Sequence, residues 1–194
     1  MQNKHIKEFL NYYIGLPNPQ YAVLLKGKWG SGKTHFINEY KKELDKNKQK
    51  YIYVSLYGVT SYDEIETKFL EAIYPRLYNK KTIFAGKIAK QLLKATLKID
   101  WDGNQQENAE IEVKIPDLKP EDLLNTKDYI LIFDDLERCS INIINLLGYI
   151  NFFVEHQSYK VILIANEKEL KKTKKYKTIK EKLIGKTFEI KTNS

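Results

Sequence analysis

The sequence has one cysteine, Cys139, and three scattered histidines, His5, His35 and His156. That excludes a disulfide framework, and no His/Cys grouping falls at the spacing of a zinc site. Sparing use of cysteine fits a reducing compartment, so the cytoplasm is the expected location. Arginine is scarce as well, Arg76 and Arg138 being the only two. Base readout and bidentate phosphate recognition favour arginine. The formal net charge of +8, carried almost wholly by lysine, therefore argues for a general bias toward Lys, Asn, Ile and Tyr. Nucleic acid remains a disfavoured partner. Long apolar runs are missing too. Phe9 to Leu25 is charge-free but broken by Pro17-Asn18-Pro19, and Cys139 to Val154 contains three asparagines. Both fall short of the roughly 20 residues that span a bilayer. The N-terminus, Met1-Gln2-Asn3-Lys4-His5, lacks the apolar centre and cleavage site of a targeting peptide. What remains, 194 residues with 42% hydrophobic and 30% charged content, suits one soluble domain over 1–194 with a sizeable core.

The most informative stretch is Gly27-Lys28-Trp29-Gly30-Ser31-Gly32-Lys33-Thr34, which fits G-x-x-x-x-G-K-[ST], a phosphate-cradling loop. Tyr21-Ala22-Val23-Leu24-Leu25 ahead of it reads as a strand, and Lys33 to about Asp45 reads as a helix. Strand, glycine loop and helix is the order that lets backbone N–H groups curl around an anion at a helix N-terminus. Lys33 is the residue to reach the outer phosphates of a nucleotide, and Thr34 the hydroxyl to ligate Mg²⁺. A glycine-rich turn with an incidental Gly-Lys-Thr is the plain alternative, and the context disfavours it.

Elsewhere, Ile6, Phe9, Leu10, Tyr13 and Ile14 share a helical face over about Lys4 to Ile14. Tyr51 to Leu56 reads as a second strand. Ser61 with Glu64 three residues later forms a capping-box pattern for a helix to about Arg76. An insertion is expected at about 80–120. It comprises an amphipathic segment with Ile83, Phe84, Ile88, Leu92, Leu93 and Leu97 in register, then a hairpin formed by 95–101 and 109–115 around Asp102-Gly103-Asn104. Packing on its own domain is the preferred reading of the amphipathic face; a membrane surface is the disfavoured one. Glu121 to Leu124 is expected to form a helical turn.

Tyr129-Ile130-Leu131-Ile132-Phe133 is a continuous apolar run, the pattern of a central parallel strand buried on both faces, and it runs into Asp134-Asp135-Leu136-Glu137-Arg138. Ligands of open α/β sheets sit at the carboxyl ends of strands. Asp134 is accordingly the candidate Mg²⁺ ligand and Asp135 the candidate general base, with Glu137 its weaker rival; helix N-capping by one carboxylate is the alternative. Ser140 is expected to cap a helix from Ile141 to about Glu155. Val161 to Ala165 reads as a further buried strand ending at Asn166, either a water- or γ-phosphate-orienting residue or a turn asparagine. The run Lys171 to Lys177 is a solvated helix surface or a phosphate-binding patch. Thr187 to Ile190 is the last expected strand.

Trp29-Gly30-Ser31-Gly32-Lys33-Thr34 together with Asp134-Asp135-Leu136-Glu137-Arg138 resembles the KAP family of P-loop NTPases. That family's loop reads G-x-W-G-S-G-K-[ST] and its acidic strand ends in Asp-Asp-Leu-Asp-Arg, so Glu137 stands where Asp is usual. Glu181-Lys182-Leu183-Ile184 resembles a further short motif. The resemblance implies a three-layer α/β P-loop fold with a mainly parallel five-stranded sheet in the order 5-1-4-3-2. It also implies ATP and Mg²⁺ as cofactors, and a bacterial role linked to phage exclusion or membrane-associated signalling. Relatives often carry transmembrane helices between the two motifs and a C-terminal helical lid. Here the insertion replaces the former, and the lid or output region is expected beyond Ser194. Asp134 and Asp135 are not followed by the guanine-type Asp-x-x-Gly, and Asn166-Glu167-Lys168 is not a guanine code, so ATP is expected over GTP. Expected partners are a second copy meeting at the nucleotide site and an output domain or protein. A conformational-switch ATPase leads, with a non-hydrolysing ATP-binding scaffold and a DNA-dependent ATPase as alternatives. Arg138 is either an arginine finger or an ion-pair partner of the carboxylates beside it.

Overall fold

A computed structural model of the chain describes residues 3–75, 92, 93, 96, 97, 125–170 and 174–191. Two compact units make up the chain, one of residues 1–61 with 129–194 and one of residues 62–128.

In the first unit five strands pair into one sheet: β1 Ala22–Lys26, β2 Tyr51–Ser55, β3 Ile130–Asp134, β4 Lys160–Ala165 and β5 Ile184–Glu189. Their order is β2-β3-β4-β1-β5 and every pairing is parallel, so the expected 5-1-4-3-2 order is found. β3 is buried at every position, as its unbroken apolar run requires. Because side chains alternate across a strand, Val23, Leu25, Ile130, Ile132, Ile162 and Ile164 face one side. There they pack against α1 (Lys4–Gly15) through Ile6, Leu10 and Tyr13, and against α2 (Lys33–Lys46) through Phe36, Ile37, Tyr40 and Leu44. On the opposite side Phe133 meets Phe153 of α4, the helix Ile143–Glu155, with 6.2 Å between ring centroids. The sheet is therefore the middle of three layers.

Two polar devices hold the apolar layers in register. Tyr13 is fully buried, and its hydroxyl donates to Tyr21 O at 2.7 Å while accepting from Val161 N at 2.9 Å. It thus satisfies the carbonyl just ahead of β1 and the amide of the second residue of β4. At the carboxyl edge, Glu167 is 8% exposed. It accepts hydrogen bonds from Lys180 Nζ and from Tyr176 Oη, the latter at 3.2 Å, with Lys26 Nζ 3.6 Å away. This ties α5 (Lys174–Leu183) to the ends of β1 and β4.

The second unit contains α3 (Tyr62–Ile73), with Ile65, Phe69, Leu70 and Ile73 buried along one stripe as their spacing predicts. Thr96 Oγ1 donates to Leu92 O and bonds Tyr74 Oη, both at 2.8 Å, and Leu92, Leu93 and Leu97 are buried. The remainder of the amphipathic segment, the expected hairpin, the turn at 121–124, Arg76 and Lys171 to Thr173 lie outside the described residues.

Several boundaries differ from the sequence reading. The α4 cap is Asn142, whose Oδ1 accepts from Ile144 N at 2.9 Å. Ser140, expected to cap, instead donates its amide to Val59 O at 2.8 Å. Helix α3 ends at Ile73 ahead of Pro75, whose ring disfavours helical backbone in the preceding residue. Strand β5 starts at Ile184, directly after α5, and is half exposed, so no apolar run marks it.

Tyr13→Phe tests the first device. It leaves the buried Val161 amide unpaired and is expected to lower unfolding free energy by about 2 kcal/mol. The check is a fall in the urea midpoint with an unchanged denaturant slope.

Candidate functional site

β1 leads straight into the glycine loop, and close packing shapes it. Gly27 N donates to Ala165 O at 3.1 Å, and Ile190 N to Lys26 O at 2.8 Å, so the loop is rooted between two neighbouring strands. A Cβ on Gly27 would lie 2.3 Å from Ser31 Oγ and 3.2 Å from Ile190 O, so no larger residue fits. Gly32 caps α2 at φ +86°, in left-handed backbone that glycine adopts without strain. The first turn of α2 has no acidic residue and no side-chain cap. Its amides and the positive end of its dipole are therefore uncompensated, the arrangement that takes an anion. Ser31 Oγ is buried without a hydrogen-bond partner beside these amides. Lys33 Nζ donates to Gly27 O at 2.7 Å and Lys28 O at 3.1 Å, which holds the ammonium over the loop.

The carboxylates come from the end of β3, where Ser55 of β2 pairs in register with Asp134. Asp134 is 3% exposed. Its Oδ2 accepts from Tyr53 Oη and its Oδ1 from Asp135 N, both at 2.8 Å. Burial raises its pKa above the usual carboxylate value; the Tyr53 hydrogen bond opposes this, and the charges of Asp135 and Glu137 add to it. Asp135 adopts left-handed backbone, φ 58° and ψ 38°, a region Asp tolerates better than most residues. Leu56 N to Asp134 O at 2.8 Å and Arg138 N to Asp135 O at 2.9 Å fix that turn. The turn aims Asp135 Oδ2 at Ser55 Oγ, which donates at 2.9 Å, and leaves Oδ1 3.8 Å from Arg138 Nε. Glu137 Oε1 accepts from Trp29 Nε1 at 3.1 Å, while its Oε2 is buried and unpartnered. Arg138 lies near two ring faces, Trp29 at 5.6 Å and Tyr57 at 5.1 Å.

Loop and carboxylates thus meet around one cavity of about 300 Å³, lined by Trp29, Gly30, Ser31, Gly32, Lys33 and Thr34 on one side and Asp134, Asp135, Glu137 and Arg138 on the other. Gly27 and Lys28 form the root of the loop rather than the lining. Asn166, one residue beyond β4, is 4% exposed and is not among the lining residues. Residues fitted to a nucleotide and Mg²⁺ are present: loop amides and Lys33 for phosphates, the orphaned Ser31 hydroxyl beside them, and Thr34 with Asp134 for the metal. Among the described residues no group of three or more His, Cys, Asp or Glu is placed to hold a metal. Mg²⁺ does not need one, since it commonly binds through one or two carboxylates plus substrate phosphates. Tyr53, Ser55 and Tyr57 are the site residues that the sequence reading misses. They occupy β2 and the residues just after it, and their role follows only once β2 is known to adjoin β3.

The buried carboxylate has a consequence for stability. A raised folded pKa means that ionised Asp134 costs stability, which falls as pH climbs from about 3.9, the unfolded value, through the folded value. Asp134→Asn keeps an acceptor for Asp135 N and removes the charge. It is expected to raise the melting temperature at neutral pH by a few degrees, the equivalent of roughly 1 kcal/mol in a chain of this length. The gain should shrink as pH is lowered; calorimetry across that range is the check.

Among the described residues no helix is long and apolar enough to cross a membrane. Comparison with curated proteins returns no match. The sequence model of the KAP family P-loop domain matches residues 3–194, which takes in the glycine loop, the paired carboxylates and the whole sheet. Parallel sheet, anion-ready loop and acidic strand end agree with that match, and the chain belongs to the KAP family of nucleotide-binding P-loop NTPase domains.

Proposed function

We propose that the chain binds Mg·ATP and hydrolyses it, and that the difference between its ATP and ADP states drives a conformational switch in bacterial anti-phage defence. One observation carries the catalytic part: the phosphate loop and the paired carboxylates of β3 line a single cavity. Loop amides and Lys33 bind the outer phosphates; Thr34 and Asp134 hold Mg²⁺, whose charge offsets that of the phosphates when bound. Asp135 polarises the attacking water, with Glu137, whose Oε2 is unpartnered, as the second candidate. Asn166 reaches the γ-phosphate or its water only through a rearrangement of the β4 end. ATP is preferred to GTP because the sequence lacks a guanine code. The defence role is supported by the family resemblance, as are a second copy meeting at the nucleotide site and an output domain or partner. A cytoplasmic location rests on the cysteine usage.

A second reading, an ATP-binding scaffold that does not turn over, is favoured by the engagement of Asp135 with both Ser55 and Arg138. Ser55 occupies one oxygen of this carboxylate and the guanidinium stands beside the other.

Phosphate release separates the two readings. Wild-type protein with Mg·ATP is expected to release phosphate, Lys33→Ala and Asp135→Asn to do so about 100-fold more slowly, and EDTA to abolish it. Unimpaired turnover by Asp135→Asn would move the base to Glu137. ATP binding by the wild type with no turnover would leave the scaffold reading standing.

In competition for a labelled ATP analogue, GTP is expected to be weaker than ATP by about tenfold or more. Equal competition would remove the adenine preference.

A further inference from the structure

Two cations line the cavity, and they are held differently. Lys33 is committed to two carbonyls of its own loop, at 2.7 and 3.1 Å. Among the described residues, the guanidinium of Arg138 has one ion pair, Nε to Asp135 Oδ1 at 3.8 Å, longer than a hydrogen bond. Its position comes instead from the rings of Trp29 and Tyr57, 5.6 and 5.1 Å away. An arginine steadied by aromatic faces keeps its in-plane N–H donors available, whereas a lysine has no such fork. The side chain is 41% exposed at the cavity wall, with room to turn.

The charge balance points the same way. Three carboxylates line the cavity, Asp134, Asp135 and Glu137. A terminal phosphate adds a further negative charge among them, and Lys33 and the helix end are shared between it and the phosphate before it. Given the nucleotide-binding reading above, on which this rests, we infer that Arg138 is the residue that discriminates triphosphate from diphosphate. It leaves Asp135 to donate to the terminal phosphate and returns to Asp135 when that phosphate is gone. The exchange moves the guanidinium away from Asp135 Oδ1 only in the triphosphate state, the state in which Asp135 is proposed to act. Trp29 senses the exchange, because its ring faces Arg138 and its Nε1 is bonded to Glu137.

The test is equilibrium binding of Mg·ADP and of the non-hydrolysable β,γ-imido analogue of Mg·ATP to the 194-residue chain, as wild type, Arg138→Ala and Arg138→Lys. Arg138→Ala is expected to weaken the imido triphosphate about tenfold and ADP less than about twofold, the loss of one charge-assisted contact. Arg138→Lys, which keeps the charge and loses the fork, should lose most of the discrimination and serves if the alanine variant fails to fold. Equal weakening of both nucleotides, or of neither, overturns the inference. A wild type that binds neither overturns the nucleotide reading and the inference with it. In a Trp101→Phe background, where Trp29 is the remaining tryptophan, the imido triphosphate should change its emission more than ADP does. Adding Arg138→Ala should erase that difference, and its persistence would count against Arg138.

Discussion

The constraint on which the site depends is a carboxylate held almost out of water at the end of a buried strand. Asp134 is 3% exposed, with one hydrogen bond to each oxygen and two further carboxylates within three residues. An ionised group in that position is costly unless a positive charge or a hydrogen-bond network compensates. Tyr53 and the Asp135 amide supply neutral partners only, so the folded chain keeps an unsatisfied demand for a cation. In the proposed function, Mg²⁺ carried in with phosphates would meet it. The loop across the cavity has the opposite excess, free amides and a helix end with no acidic residue beside it. Each half of the site is therefore electrostatically incomplete, and the nucleotide with its metal proposed above would complete both.

Parallel pairing brings these halves together. β1, β3 and β4 run the same way in adjacent positions, so the loop after β1 and the acids after β3 leave the sheet at one edge, with the end of β4 between them. Loop conformation is then set by contact rather than by flexibility. Gly27 sits between Ser31 and Ile190, and a side chain there would displace the Ser31 hydroxyl and crowd the Ile190 carbonyl. Left-handed backbone at Asp135 costs of order 1 kcal/mol or more. It is kept because it turns a second carboxylate back toward the cavity instead of letting the strand continue outward.

Much of this was legible in the residues. The loop motif with the helix after it, the apolar run into Asp134-Asp135, and the amphipathic stripe of α1 are local signals, and the structure places them as expected; the strand order, by contrast, was an implication of the family resemblance. What was not legible depends on who neighbours whom. Tyr53 and Ser55 look like ordinary residues of a half-buried strand; only the register Ser55↔Asp134 makes them partners of the carboxylates. The cap of α4 is Asn142 rather than Ser140: the Asn142 carboxamide accepts from Ile144 N, while the Ser140 amide is bonded to Val59 O. β5 lacks an apolar run because it is a sheet edge with half its face in water. Asn166 had the right position in sequence, but a buried residue at the end of β4 need not project into the cavity.

Glu137 shows how a small departure from the family pattern acquires a physical meaning. An aspartate is usual there, and its carboxyl group would sit one methylene closer to the backbone. The longer arm brings Oε1 to 3.1 Å from Trp29 Nε1, so the indole of the phosphate loop is fastened to the carboxylate turn. That bond joins segments far apart in sequence across the mouth of the cavity, and it sits beside the Arg138 contact with the same ring. Loop and carboxylate turn are thereby linked through Glu137 and Arg138 directly, without passing through the sheet. Backbone bonds extend the link, since Arg138 O accepts from Gly58 N at 3.1 Å and Val59 O accepts from Ser140 N at 2.8 Å. The segment after β2 is thus tied to the carboxylate turn. Its Tyr57, 62% accessible, stands on this segment with its ring 5.1 Å from the Arg138 guanidinium.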